Sequence, residues 1–165
     1  MKPAVEPIAR RAVATDTEEL VRLRIVMLED MHGEPAPPGE WSRHSAATLR
    51  RHLPVPDPAA TLAAFVVDRP DGPGLAACAV GTIEERLASP GNPGGLVGYI
   101  FNVATHEPYR RRGLSTACLD ALLAWFEARA VPAVRLFASR DGLPMYERMG
   151  FRRETKTSME LILPR

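Results

Sequence analysis

Arg110-Arg111-Arg112-Gly113-Leu114-Ser115 separates a strand-like apolar run, Leu96 to Thr105, from an apolar segment with helical spacing, Gly113 to Ala130. The first amides of a helix have no intrahelical partner, and the helix dipole favours anions there. Gly113 has no Cβ, so a ligand oxygen can approach the backbone, and the arginines can pair with phosphate oxygens. The pattern is typical of a pyrophosphate site, although a basic triplet can also be the solvated edge of a helix.

The elements around this turn predict a mixed α/β domain. The unit Val97–Ala138 is β-α-β, which predicts a parallel, right-handed connection, whereas short turns join the earlier strands and predict antiparallel pairing. The predicted order is β-α-α-β-β-β-α-β-α-β. Its elements are strand Ile8–Ala14, a helix from Thr15 to His32, helix Trp41–Leu53, strands Thr61–Asp68, Leu75–Leu87 and Val97–Thr105, helix Gly113–Ala130, strand Ala133–Ala138, a short helix ending at Met149, and strand Arg152–Leu163.

Cap signals mark the ends of several helices. Thr15-Asp16-Thr17-Glu18 predicts a capping box at the start of the first helix, with Thr15 as the N-cap. Asp141 is the expected N-cap of the last short helix. Gly33 and Gly150 are expected as left-handed C-terminal caps of the first and last helices.

Length and composition favour one globular domain. The chain has 165 residues, 45% of them apolar, and a formal net charge of +1, which predicts a single domain over 1–165. The near-zero charge argues against nucleic acid or a membrane as partner, and no apolar run is long enough to span a bilayer. Cys78 and Cys118 lie in apolar stretches and are expected as buried thiols. A reduced, cytoplasmic protein is the expectation.

A second motif follows the arginine turn by about thirty residues. It reads Met145-Tyr146-Glu147-Arg148-Met149-Gly150-Phe151. Together with Arg110-x-x-Gly113-x-Ser115, it resembles the GNAT N-acetyltransferase family. Ser115 stands where that family usually has Gly or Ala, and its small side chain keeps the backbone accessible. The resemblance implies a mixed, mostly antiparallel central sheet with helices on both faces, and transfer of an acetyl group from acetyl-CoA to a primary amine of a small molecule or protein.

The resemblance also implies where the cofactor binds. The amides of the arginine turn would receive the pyrophosphate, and the pantetheine arm would lie between two splayed strands, Tyr99–Ala104 and Ala133–Ser139. For the strand positions, ordinary structural residues are the alternative. The implied cofactor-binding residues are Phe101, Asn102, Val103, Arg110, Arg111, Arg112, Gly113, Leu114, Ser115, Thr116 and Ser139.

Tyr146 is the implied general acid. A tyrosine at this motif position faces the cofactor sulfur in the family, and a phenol with an unperturbed pKa near 10 carries the proton that a leaving thiolate needs. A core tyrosine on a short helix is the alternative.

The general base and the acceptor site are less defined. Candidate bases are Glu84, Glu85, His106, Glu107 and a bound water. The acceptor site is expected from Met31–Leu53 and Glu84–Gly95, the parts that vary in the family. The few histidines there lack the number and spacing of metal ligands, so no metal site is expected.

The motifs that are present or absent in the sequence favour an acetyltransferase over other classes of protein. A catalytically silent CoA-binding or sensing module of the same fold is the main alternative, and Tyr146 argues against it. No G-x-x-x-x-G-K-[ST] or G-x-G-x-x-G pattern occurs, which disfavours an NTPase or a dinucleotide-binding enzyme. The basic residues lack the aromatic interleaving typical of nucleic-acid binding. The acceptor and the oligomeric state, including a homodimer, stay open.

Overall fold

The computed structural model describes residues 7–54 and 57–163. In chain order the elements are β1 (Arg10–Arg11), α1 (Thr17–His32), α2 (Glu40–His52), β2 (Leu62–Asp68), β3 (Leu75–Glu85), β4 (Leu96–Thr105), α3 (Leu114–Ala128), β5 (Val134–Leu136) and α4 (Leu143–Arg148), with 3-10 turns at Ala14–Asp16 and Glu107–Tyr109.

Within residues 7–54 and 57–163, the five strands form one sheet in the order β1-β2-β3-β4-β5. Neighbouring strands from β1 to β4 are antiparallel, and β4 pairs with β5 in parallel across helix α3. The hairpin between β2 and β3 is closed by the Arg69 amide, which donates to the Gly74 carbonyl at 2.9 Å. The predicted antiparallel meander and the parallel β-α-β unit are both confirmed.

Helices cover both faces of the sheet, as predicted. On one face, α1 and α2 bury Leu20, Leu23 and Leu49 against strand residues that include Val66 and Cys78. The opposite face is covered by α3, whose buried side chains are Cys118, Leu119, Leu122, Trp125 and Phe126. Both cysteines are free and buried, which confirms the prediction made for them. No helix within the described ranges is long and apolar enough to cross a bilayer.

Two strand glycines bring α3 close to the sheet. A Cβ at Gly81 would lie 2.8 Å from Phe126 Cζ, and one at Gly98 would lie 2.9 Å from Phe126 Cε1. The Phe126 ring therefore packs directly on the backbone of β3 and β4, in a space that any side chain at these positions would fill.

We expect Gly98→Ala to lower the free energy of unfolding by about 1–3 kcal/mol, the usual cost of overpacking a well-filled core. The new methyl would meet the Phe126 ring and, at 3.0 Å, Val134 Cγ2. Urea denaturation measures the loss. Gly94→Ala is the matched control, because its Cβ would have no neighbour within 4 Å. Equal stability of the two variants would contradict the close packing.

The N-terminal elements differ from the prediction. The strand expected over Ile8–Ala14 is reduced to Arg10–Arg11, because the chain turns at Ala14–Asp16 before α1. The capping box with Thr15 as N-cap is also wrong. Instead, Asp16 Oδ2 accepts a hydrogen bond from the Val13 amide at 2.8 Å and an ion pair from Arg10, also at 2.8 Å. These contacts fix the turn, and α1 begins at Thr17 with Asp16 as its N-cap, one residue later than expected.

The C-terminal elements also differ. No strand forms over Arg152–Leu163, although the alternating Met159, Leu161 and Leu163 are typical of one. A period-two pattern yields a strand only when a neighbouring edge pairs with it, and this segment pairs with none of the described strands. Asp141 does not cap α4: Ser139 Oγ accepts the Gly142 amide at 3.1 Å. The left-handed conformations predicted for Gly33 and Gly150 are confirmed, with φ of 69° and 93°.

Candidate active site

A groove of about 1,050 Å³ runs between the end of β4, the start of α3, the end of α1 and the segment from Ser139 to Arg148. Most of the residues predicted to bind a cofactor line it, as does the predicted acid. They are Val103, Arg110, Arg111, Gly113, Leu114, Ser115, Thr116, Ser139 and Tyr146. Arg112, Phe101 and Asn102 lie outside this lining.

The turn before α3 exposes a row of backbone amides to the groove. The first helical hydrogen bond runs from the Ala117 amide to the Gly113 carbonyl at 3.0 Å, so the amides of Leu114, Ser115 and Thr116 precede the bonded ladder. Gly113 is left-handed, with φ of 76°, and the position of its missing Cβ is open space. Arg111 is also left-handed at φ of 63°, a conformation that costs a side-chain-bearing residue about 1–2 kcal/mol. Such strain persists where surrounding structure imposes it, often at ligand sites.

The three arginines have different surroundings. Arg110 is anchored within the protein: Nη2 pairs with Asp30 Oδ2 at the end of α1 at 2.6 Å, and Nε donates to the Thr105 carbonyl at 3.1 Å. Arg112 lies over the Tyr109 ring, 5.7 Å from its centroid. Arg111 lines the groove and is exposed. Among the three, Arg111 is thus the guanidinium best placed to meet an anion, and Arg110 instead ties the turn to α1.

Strands β4 and β5 separate beside the groove. Their pairing ends at Ile100 opposite Leu136, so no residue from Phe101 to Thr105 pairs with β5. On the other edge of β4 the register shifts, because Gly81 pairs with Ile100 and Val80 pairs with Asn102. Phe101 is the extra residue of this bulge. A bulge bends a strand and changes the direction in which its side chains point. The result is an edge of β4 that β5 leaves unpaired beyond Ile100. Of the strand residues predicted to hold an extended ligand, Val103 lines the groove.

Tyr146 is buried but lines the groove. Its ring packs edge-on against Phe151, with centroids 5.7 Å apart, and its exposed fraction is 8%. The hydroxyl makes no hydrogen bond to any described residue, so it is available to a ligand. Burial raises the pKa of this phenol above its ordinary value, because the charged phenolate is poorly solvated there. The phenol therefore carries its proton at neutral pH.

Ser139 has a structural role next to this tyrosine. Its Oγ accepts the Gly142 amide at 3.1 Å and its carbonyl accepts the Leu143 amide at 3.0 Å. Gly142 leaves room for both neighbours, since a Cβ there would lie 3.0 Å from Tyr146 Cε2 and 3.1 Å from Ser139 Oγ. Ser139 thus shapes the turn that positions Tyr146, and it also lines the groove.

A smaller cavity of about 160 Å³ lies between α1, α2 and the sheet. Its polar lining residues are Arg24, His44, Ser45, Thr48 and Asn102. Three of these fall in the predicted acceptor segment Met31–Leu53, whereas no residue of Glu84–Gly95 lines the cavity. Arg24 was not predicted as a site residue. The sequence does carry a signal for it, because it lies on the apolar face of α1, four residues after Leu20 and three before Met27.

None of the four candidate base side chains lines the groove. Glu84 forms an ion pair with Arg86 at 2.6 Å, and it pairs in the sheet with Val97, five residues or about 17 Å along β4 from Asn102. His106 stacks near Tyr109 with centroids 5.7 Å apart, and burial followed by nearby arginines lowers its pKa. Neither these residues nor Glu85 and Glu107 line either cavity.

Comparison with known proteins identifies the class. The Acetyltransferase (GNAT) family model matches residues 26–151, which is most of the chain. The protein belongs to the GNAT acetyltransferase family.

Several solved structures share the fold of this chain. A predicted acetyltransferase from Clostridium acetobutylicum, solved with acetyl-CoA, is 25% identical with a TM-score of 0.79, covering 93% of this chain and 94% of that one. A GCN5-related N-acetyltransferase from Ralstonia eutropha JMP134 is 22% identical with a TM-score of 0.71, covering 93% and 97%. Glucosamine-6-phosphate N-acetyltransferase from Arabidopsis thaliana is 14% identical with a TM-score of 0.72, covering 93% and 96%. The comparison with curated proteins found no match.

Proposed function

We propose that this protein transfers the acetyl group of acetyl-CoA to the nitrogen of a primary amine. The observation that carries the proposal is the groove, which joins free helix-start amides, an unpaired edge of β4 and the Tyr146 hydroxyl. The amides would bind a pyrophosphate, the edge of β4 would bind an arm that contains amides, and the hydroxyl would meet a thioester sulfur. The similar Clostridium acetobutylicum structure contains acetyl-CoA, which supports the same ligand here.

The residues of the turn fit a pyrophosphate. Gly113 leaves open space where a Cβ would stand, and the amides of Leu114, Ser115 and Thr116 begin a helix of 15 residues. Such a terminus stabilises a negative charge by hydrogen bonds and by its dipole. The exposed guanidinium of Arg111 adds a cation at the same end of the groove.

The chemistry requires one proton donor and a neutral amine. The amine nitrogen forms a bond to the acetyl carbon, the carbon–sulfur bond breaks, and the sulfur takes the proton of the Tyr146 hydroxyl. Tyr146 then regains a proton from solvent, and the new amide nitrogen loses its extra proton to water. Unpaired amides of the β4 bulge would hydrogen-bond the thioester oxygen, where negative charge develops during attack.

A silent CoA-binding module is the alternative function. It needs the groove but not a free phenol aimed into it. Release of CoA thiol from acetyl-CoA, measured with and without a panel of primary amines, separates the two functions. Amine-dependent release supports the transferase. Binding of acetyl-CoA without amine-dependent release from any panel member would support the silent module.

We expect the rate to rise with pH and to level off in the alkaline range. An alkyl ammonium has no lone pair and must lose a proton with an unperturbed pKa of about 10.4 before it attacks. Because burial raises the pKa of Tyr146 above its ordinary value, the acid keeps its proton at neutral and mildly alkaline pH, where the neutral fraction of the amine is rising. A pH profile of kcat/KM measures this. A fall in rate that begins below pH 9 would contradict Tyr146 as the protonated donor.

Glu84→Gln and Glu85→Gln should each change turnover less than about threefold. Both side chains lie at the far end of β3, paired with Val97 and Leu96, so neither can reach an amine beside Asn102. We expect water to accept the amine proton instead. Steady-state turnover with acetyl-CoA binding measured in parallel tests this. Loss of turnover with intact binding in either variant would identify that glutamate as the base.

A further inference from the structure

The smaller cavity contains an arginine whose charge is not balanced by the protein. Arg24 is half-buried on α1, and its recorded hydrogen bond among the described residues goes from Nη1 to the neutral Asn102 Oδ1 at 3.3 Å. This distance exceeds the usual 2.9–3.0 Å for such a bond. No carboxylate of the described chain lies within ion-pair distance of the guanidinium, and the cavity lining contains no Asp or Glu.

An unbalanced guanidinium carries a desolvation cost. Arginine has five N–H donors and no acceptor, and it stays charged at any physiological pH. Burial lowers the pKa of Arg24 from its ordinary value, with no compensating carboxylate. Two arginines nearby in sequence are neutralised: Arg22 on α1 pairs with Glu19 and Arg10 on β1 pairs with Asp16, each at 2.8 Å. A ligand oxyanion would supply what Arg24 lacks.

The cavity adjoins the groove along two elements. Asn102 lines the cavity and the next residue, Val103, lines the groove. On α1, Arg24 lines the cavity and Met27, one turn later, lines the groove. A molecule in the cavity therefore lies next to the part of β4 where the thioester is proposed to sit. The volume of about 160 Å³ resembles that of an engineered cavity that holds benzene, about 150 Å³.

We propose that Arg24 binds an oxyanion, carboxylate or phosphate, on the acceptor amine, so that the acceptor is a small amino acid or a phosphorylated amine. This proposal rests on the proposed acetyl transfer. His44, Ser45 and Thr48 from α2 offer further polar groups in the cavity lining. The apolar Leu49, Leu62 and Val80 accommodate the carbon skeleton. The guanidinium also favours the neutral form of a nearby amine, because a like charge lowers the pKa of an ammonium.

The test compares matched amines in matched variants. The pairs are L-leucine with L-leucinamide, and O-phosphoethanolamine with ethanolamine; the first pair tests a carboxylate and the second a phosphate. The wild type, Arg24→Gln, Arg24→Lys and the control Arg43→Gln are compared. Arg43 is an exposed residue of α2 outside both cavities, so its variant removes the same charge without touching the site. Melting curves verify that each variant folds.

In at least one pair, the ratio of kcat/KM for the anionic over the neutral amine should fall about 10- to 100-fold in Arg24→Gln, the usual effect of a charge-assisted hydrogen bond. Arg24→Lys should retain part of the ratio and Arg43→Gln all of it. Because the amines' own basicity cancels between variants, only the contact with Arg24 changes the ratio. An unchanged ratio in Arg24→Gln, or an equal fall in Arg43→Gln, overturns the proposal while the acetyl transfer stands.

Calorimetric titration of L-leucine and O-phosphoethanolamine into the CoA-saturated protein separates the two proposals. Binding that is lost in Arg24→Gln, without turnover of any amine, supports the role of Arg24 and contradicts the proposed acetyl transfer. If the wild type neither binds nor acetylates either anionic amine, the role of Arg24 is overturned.

Discussion

Saturating acetyl-CoA should raise the melting temperature of the wild type by about 5–11 °C and leave that of Gly113→Glu unchanged. A ligand at 100 times its dissociation constant stabilises the native state by about 2.7 kcal/mol, and each kcal/mol shifts the midpoint of a domain of this size by about 2–4 °C. In the variant, a side chain and a negative charge would occupy the open space beside the free amides of α3. Thermal unfolding monitored over a ligand series measures the shift.

Two further variants control this experiment. Gly113 is left-handed, with φ of 76°, so Gly113→Ala introduces backbone strain without charge and should retain part of the ligand shift. Gly94→Glu introduces the same charge at an exposed glycine with nothing within 4 Å of its Cβ, and it should respond as the wild type does. A wild-type melting temperature that does not change with acetyl-CoA would contradict the cofactor assignment itself.

Tyr146→Phe should lower kcat by about 10²-fold or more and leave the acetyl-CoA-induced melting shift intact. The substitution keeps the ring against Phe151 and removes only the hydroxyl, so the loss falls on protonation of the leaving sulfur. Single-turnover kinetics isolates the chemical step.

Tyr99→Phe is the matched control for this variant. Tyr99 packs edge-on with Phe137 at 6.1 Å and lies outside the groove lining, so loss of its hydroxyl should leave kcat within about twofold. Wild-type single-turnover rates in Tyr146→Phe would exclude this residue as the acid.

The sequence was sufficient where the signal is local. Three features each occupy only a few consecutive residues, so local backbone rules predict them directly. They are the arginine turn, the glycine at the start of α3 and the motif around Tyr146. The sheet pairing was also predictable, because short turns impose antiparallel neighbours and a helical crossover imposes a parallel one.

The features that the sequence did not predict depend on contacts between residues that are distant along the chain. Arg110 and its partner Asp30 are 80 residues apart, and nothing local shows that Arg110, and not Arg111, forms this ion pair. The cavity at Arg24 requires α1, α2 and β4 to assemble before it exists. The last predicted strand failed for a related reason: alternation in Arg152–Leu163 is a local property, whereas pairing needs an available edge.

The two buried thiols affect how activity can be followed. Only a thiolate attacks a disulfide reagent. Burial raises the pKa of Cys78 to about 12, and it also raises the pKa of Cys118. Both cysteines of the chain are therefore poor nucleophiles in the folded state. A colorimetric disulfide reagent should report the CoA released during turnover with little background from the enzyme, and a rising background would instead signal unfolding.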